Sequence, residues 1–393
     1  MKKQLFQKLL VVGLICVAAN LARAQNNSEP CKPTSTNQVC VTEPSMQFTS
    51  ISGQNVVCVS NNVSLTASYT NINGETTTTI SYDHCPDTVT TDTPSSGIKS
   101  NWWEVSGPGT FSTNKQGLDA SFTPTNCGTA TVTFHLIYTN ASPCAGTENL
   151  SISTTVKVIK AEAKSVTFST DHGVLTDYNT NYAGGGGTVY SPRGWQKSPA
   201  TNNPVTHTKG GTVGVTIVIS VCPAGETFDL VGTSGSTGLT FHKTGNLSTG
   251  GDQSISLMAD AALPTKIDIL NESINWKVTV NSNECDAGIS GPHKVYVLWG
   301  IPATTTPTLK RINWVCGLAQ SKTDLAQIGD AVGTDATGGS RFGGNSIFGS
   351  TPMPTAWQVM DGVKGDCGTL STLMKYELDV IGATGANVKF VFA

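Results

Sequence analysis

The chain predicts a mainly β protein: two β-sandwiches followed by a small C-terminal α+β helical segment. Three observations predict it. Only 13% of the 393 residues are charged, and Thr, Ser, Asn and Gly crowd the chain, a composition of sandwich surfaces and tight turns rather than of helical bundles. Short runs in which polar and apolar residues alternate fill most of the length, the period of a half-buried strand. Near residue 304 the apolar spacing changes to that of an amphipathic helix. The length suits two or three domains of ordinary size.

The first segment, residues 1–24, carries Lys2, Lys3 and Lys8, then an apolar run from Leu9 to Ala19, then Ala22-Arg23-Ala24. This is the layout of a secretory signal peptide with a small-x-small cleavage site, and cleavage is expected after Ala24. Cys16 lies in the segment, but the bulky Ile15 before it does not suit lipoprotein processing. Cleavage would remove four basic residues and no acidic one, moving the formal charge from -3 to -7. A mildly acidic chain without Lys/Arg clusters argues against nucleic acid or anionic lipid as partner. No later stretch reaches the roughly 18 apolar residues of a membrane span, so no membrane insertion is expected after cleavage.

Residues 25–46 have no apolar period and read as a flexible tether, with Cys31 and Cys40 in position to close a small loop. From 47 to 160 come "VSLTASYT", "NWWEVSG", "ASFTP", "TATVTFHLIYT" and "ISTTVKVI", short strands punctuated by turn residues. The segment Trp102-Trp103-Glu104-Val105-Ser106-Gly107, followed by "LDASFTPTNCGTATVTF", resembles bacterial Ig-like or PKD-like domains. The resemblance implies a core Trp on the third strand and the disulfides Cys58-Cys127 and Cys85-Cys144. It implies a fold and no particular ligand.

Residues 163–303 repeat the all-β character with "SVTFST", "VGVTIVISV", "TFDLVG", "LTFHKTG", "QSISLMA", "INWKVTV" and "KVYVLWGI". Cys222 and Cys285, the cysteines of this stretch, are expected to pair. The glycine run 184–187 is followed by no helical period and reads as a loop, not a phosphate cradle.

From 304 to 393 the helical spacing sets Leu309, Ile312, Cys316 and Ala319 on one face, Leu325, Ile328 and Val332 on another, and Leu370, Leu373, Met374, Leu378 and Ile381 on a third. Gly382 stops the last helix, and "NVKFVF" supplies a strand. "GDC", an apolar helix with "LM" seven residues on, a terminating Gly and a strand together resemble the start of a transglutaminase-like domain of the papain-like superfamily. The resemblance implies that Cys367, at a helix N-terminus that lowers thiol pKa, is an acyl-transfer nucleophile. The family's His and Asp would follow on later strands, yet His84, His135, His172, His207, His242 and His293 all precede Cys367. Three readings of Cys367 therefore stand side by side: a disulfide with Cys316, an idle thiol, and a nucleophile.

Other candidates are Trp102, Trp103, Trp195, Trp276 and Trp299 as a sugar-stacking platform, although tryptophan in a sandwich is more often core and the alternation around Trp276 and Trp299 supports burial. Asp83, Asp87, Asp171 and Asp177 lack calcium-loop spacing, and no CxxC or Cys/His cluster points to zinc. No metal and no cofactor is expected. Ten cysteines outside the leader suit an exported, disulfide-bearing chain at the cell surface, in the periplasm or outside the cell. The expected function is a binding or structural module with a protein or glycan ligand; the alternative is a cysteine acyl-transfer or peptidase enzyme using Cys367. Residues 387–392 would form an edge strand that pairs back onto the molecule or drives self-association.

Overall fold

A computed structural model describes residues 33–43, 45–59, 61–82, 88–93, 96–111, 116–140, 144–177, 187–246, 251–303, 308–337, 365 and 367–383. The protein is mainly β with a small helical segment. The strands are β1 (Pro33–Thr42), β2 (Ser45–Ser52), β3 (Val56–Cys58), β4 (Val63–Ile72), β5 (Glu75–Tyr82), β6 (Thr88–Asp92), β7 (Ser96–Ser106), β8 (Gly109–Phe111), β9 (Asp119–Pro124), β10 (Gly128–Asn140) and β11 (Gly146–Phe168). They continue as β12 (Leu175–Thr176), β13 (Val189–Tyr190), β14 (Gly194–Gln196), β15 (Thr201–Asn203), β16 (Val205–Thr208), β17 (Thr212–Cys222), β18 (Thr227–Ser234), β19 (Thr240–Asn246), β20 (Gly251–Ala262), β21 (Asp268–Val280) and β22 (Asn283–Leu298). Helices α1 (Leu309–Leu318), α2 (Leu325–Thr337) and α3 (Cys367–Val380) follow.

The alternation read from the sequence is the alternation that is buried. In β10 Ala130, Val132, Phe134, Leu136 and Tyr138 point inward, and in β17 Val213, Val215, Ile217, Ile219 and Val221 do, as a period of two requires when one face is covered. Burying each such aliphatic side chain contributes about 1.5–3 kcal/mol relative to exposure.

The chain divides into two compact units. The first takes residues up to Ser50, Ala67–Trp102 and Phe134–Ile152; the second takes Ile51–Thr66, Trp103–Thr133 and everything from Ser153 onward. This division does not follow the linear order expected. Strand β11 runs unbroken through 160–163, where a boundary between sandwiches was expected, and the stretch expected to be a tether contains β1.

In the first unit β1, β5 and β6 form an antiparallel sheet in that order, with Val39 opposite Thr77 and Thr77 opposite Thr91. The alternation "STNQVCVT" is enough for a strand once β5 offers a partner. A disulfide from Cys40 to Cys144 then pins β1 in place. Phe48 meets Phe134 edge-on with ring centroids 5.7 Å apart, and the Tyr138 hydroxyl donates to Glu148 at 2.7 Å.

In the second unit the strand order β15-β14-β11-β17-β20-β19-β18-β21-β22-β16 encloses one core. Ile159, Val166 and Phe168 of β11, the inward residues of β17, and Ile274, Trp276, Val278 and Val280 of β21 fill it. The Trp276 ring lies over Gly232 in the neighbouring strand, where any added Cβ would sit 2.4 Å from the ring. Trp103 is buried, as a core tryptophan was expected to be, and its indole N–H donates to the Gly117 carbonyl at 3.1 Å.

Strand β22 ends with four consecutive buried residues, Val295 to Leu298, the signature of a strand covered on both faces. Val295 and Val297 join the sheet core. Tyr296 and Leu298 face a second cluster with Ile312, Val315, Cys316, Ile328, Val332, Leu378 and Ile381. The helices thus share a strand with the sheet instead of building a core of their own. The predicted faces of α1 and α3 are the buried ones, while Leu325 of α2 is 40% exposed. Thr308 makes no side-chain cap at the start of α1. Asp177 does this from a distant loop, accepting from the Lys310 amide at 3.0 Å. Helix α3 stops at Gly382, φ +76°, whose missing side chain lets it lie against the Gly300 backbone.

The disulfide expectations are corrected. Cys58 bonds Cys285 and Cys127 bonds Cys222 within the second unit, and Cys40 bonds Cys144 in the first. The pairings Cys58-Cys127, Cys85-Cys144 and Cys222-Cys285 are therefore replaced, as is the loop between Cys31 and Cys40. The cause is β3, which pairs in parallel with β11 and carries Cys58 to the β21–β22 hairpin, where it is buried with Cys285. Cys31 and Cys85 lie outside the described residues.

Candidate functional site

Cys367 stands at the first position of α3, the placement the sequence predicted. Asp366 and the 387–392 strand lie outside the described residues. Cys316 is a free, fully buried thiol rather than half of a disulfide with Cys367. Burial pushes its pKa far up, and the nearby Asp268 charge adds to the effect, so it is an inert core residue.

The described histidines are engaged elsewhere. His135 stacks on Trp102, centroids 4.7 Å apart and planes 10° apart. His242 pairs with Asp229 at the surface, 2.6 Å. His172 shares a hydrogen bond of 3.0 Å with the Thr208 hydroxyl, and burial lowers its pKa. His207 is buried beside Phe168; desolvation, helped by His172, pushes it down to about 4. Asp171, one of the aspartates without calcium-loop spacing, pairs with Arg193, its carboxyl raised to about 6 because burial outweighs that neighbour. Among the described residues no group of His, Cys, Asp and Glu is arranged to hold a metal.

A buried polar constellation that no sequence motif announces lies in the second unit. It centres on Glu272 of β21 and on Ser290 and His293 of β22, 4%, 0% and 1% exposed. The Glu272 carboxylate accepts from the hydroxyls of Ser234 and Ser236 and from the Thr237 amide at 3.4 Å. The Trp276 indole N–H donates to Ser290 Oγ at 2.9 Å, and Ser290 Oγ lies 2.9 Å from His293 Nε2. Indole nitrogen only donates, so the Ser290 hydroxyl accepts that bond, and the direction of its bond with Nε2 follows the tautomer of the ring. Desolvation holds His293 down to about 4, with the Glu272 charge pulling the other way.

A serine hydroxyl hydrogen-bonded to an imidazole has the make-up of a nucleophile and base pair, but here both are sealed in the sheet core. The arrangement can position a strand pair and store a proton; it cannot reach a substrate. The signal that could have found it is parity: Leu270, Glu272, Ile274 and Trp276 share the inward register of β21, and a carboxylate on that side demands partners.

The tryptophans divide. Trp103 and Trp276 are buried, and Trp195 packs against the sheet core. Trp299 carries Lys209 Nζ 3.2 Å above its ring. Trp102 is 37% exposed in the first unit. There it joins Val39, Val41, Ile72, Val89 and Ile98 as exposed large apolar residues.

No protein-family model matches the chain, and no curated protein matches it. Among solved structures it is similar to the D0-D1 domain of Intimin, with 10% identity over 62% of this chain and 97% of that chain and a TM-score of 0.16, a likeness that fixes neither fold nor function.

Proposed function

We propose that this is an exported, disulfide-stapled β protein, at the surface or outside the cell, that works as a binding or structural module. The observation that carries the reading is the set of three disulfides among the described residues, with sequence separations of 95 to 227 residues. Bonds of this kind persist in oxidising compartments and are rare where glutathione keeps thiols reduced. Ig-like character agrees with the alternating strands and the buried Trp103. Ligand contact is assigned to the first unit, because it exposes large apolar side chains and the stacked Trp102-His135 pair, groups of the kind that partners cover.

Fractionation of the native host, followed by peptide mapping without reductant, tests the location. Recovery in the cytosol with free Cys40, Cys58 and Cys127 would sink the reading. Glycan-array binding that disappears in Trp102→Ala is the expected result for a glycan ligand, and a blank array removes that ligand class. The enzyme reading keeps one observation, the position of Cys367 at the start of α3. A thiol-directed acyl probe that labels Cys367 no faster than in unfolded protein removes it.

A further inference from the structure

We propose that Glu272 clasps the turn between β18 and β19, and that His293 is its proton-gated competitor: a protonated His293 draws the carboxylate to itself and releases the turn. This goes beyond the binding-module reading and uses none of its surface.

The clasp is visible in the hydrogen bonds. Residues 235, 236 and 238 at the tip of the turn are exposed, and two of them are glycines with little to pack. What orders the tip is Glu272, through the hydroxyls of Ser234 and Ser236 and the amide of Thr237. The Thr237 hydroxyl lies 2.9 Å from Ser234 Oγ and closes the ring of contacts. Two backbone bonds, Ser234 to Leu239 at 2.9 Å and Gly235 to Ser273 at 3.1 Å, hold the base of the turn and not its tip.

The competitor sits across the strand pair. His293 is opposite Glu272 in the β21–β22 register, and directly opposed residues share a face. Its Nδ1 has no hydrogen-bond partner among the described residues. While the ring is neutral it offers no charge to a carboxylate that already has three donors. Once protonated, the ring is a buried cation that needs a countercharge.

The charged and titratable surroundings name one candidate. From β21 Glu272 faces the ring, and from β22 Ser290 occupies Nε2. From β11 Phe168 offers only its ring, 5.3 Å away centroid to centroid. His207 of β16, with His172 beside it, packs on Phe168 in turn and supplies no negative charge; Asp171 is committed to Arg193. Glu272 is therefore the group that a charged His293 recruits. Ser234 and Leu239, at the two ends of the turn, also line a small apolar cavity with Phe168, Phe241 and Ile274, so release of the turn opens that cavity.

The test is amide exchange, read by mass spectrometry on the full oxidised protein at neutral pH and at about pH 4.5, corrected for intrinsic exchange. Peptides covering residues 233–240 are expected to lose protection about tenfold at the acid pH, while peptides from β17 keep theirs. In His293→Gln, which cannot take up the proton, the turn is expected to stay protected. Unchanged protection in the wild type, or equal loss in His293→Gln, overturns the proposal. Should His293→Gln fail to fold, a wild-type NMR titration decides: the His293 ring protons and the Thr237 amide must move with one midpoint, and separate midpoints overturn it.

Discussion

Removing the Cys58-Cys285 bond tests the tertiary arrangement most directly. The bond closes a sequence separation of 227 residues, and both cysteines are buried, 4% and 2% exposed. In the chain-entropy description such a loop is worth about 5 kcal/mol, against a total of about 5–15 kcal/mol for a folded domain. The double variant Cys58→Ala/Cys285→Ala is therefore expected to lose about 5 kcal/mol, a large fraction of the second unit's stability. Urea unfolding followed through tryptophan fluorescence reads the loss, since Trp276 lies in the same core. Energy alone does not identify the partner, because the shorter Cys58-Cys127 loop would be worth about 4 kcal/mol. The single variant Cys58→Ala does, by the thiol it frees. Alkylation after mild unfolding must find Cys285 free and Cys127 still bonded to Cys222. A free Cys127 would refute the strand pairing that carries β3 to the β21–β22 hairpin, and a loss below about 1 kcal/mol would refute the entropic argument.

Further outcomes follow from single contacts. Gly232→Ala pushes a methyl into the Trp276 ring and is expected to cost about 1–3 kcal/mol in urea unfolding; a neutral effect would mean that Trp276 does not cover that strand. Asp177→Ala removes the tertiary cap of α1, with an expected cost of about 0.5–2 kcal/mol that Asp177→Asn should largely restore. His207 and His293 are each held down to about 4 from 6.5 by burial. The unfolded chain therefore takes up protons first, and their stabilisation is complete above about pH 6.5 and fades as pH falls toward 4. The loss is about 3 kcal/mol per histidine, and unfolding midpoints that stay flat across that window would contradict it. Cys316, buried and held protonated, is expected to resist alkylation until the protein unfolds; rapid native labelling would show that α1 does not cover it.

Much of the local structure was legible in the sequence. The runs "VSLTASYT", "VGVTIVISV" and "INWKVTV" became β4, β17 and β21 because side-chain alternation reports directly which face is covered. Helices α1 and α3 appeared where the spacing changed, and Gly382 ended α3 at positive φ. The candidate chemistry was less legible. Cys367 stands at a helix start as the sequence implied, yet Cys316, its partner in one of the three readings, is a free core thiol, and a polar centre lies instead around Glu272, Ser290 and His293. Those three residues are separated by up to a strand and a hairpin turn, and a bulge between Ser290 and His293 breaks the pairing register, so no short motif announces them.

The mainly β class, the places of most strands, the helical character after residue 304 and a cysteine content suited to an oxidising compartment can all be read along the chain. All of these are properties of neighbouring residues: composition, period and turn chemistry act over a few positions. Which strands meet is instead a matter of long-range packing. A continuous β11 replaces the expected boundary at 160–163, β1 becomes a strand because β5 pairs with it, and β22 serves the sheet on one face and the helices on the other. Strand pairing joins residues up to about a hundred positions apart, and a strand carries the same alternation whichever partner it takes. The cysteines inherit that choice: Cys58 meets Cys285 and not Cys127 because the backbone pairing brings the first two within 5.4 Å, Cα to Cα.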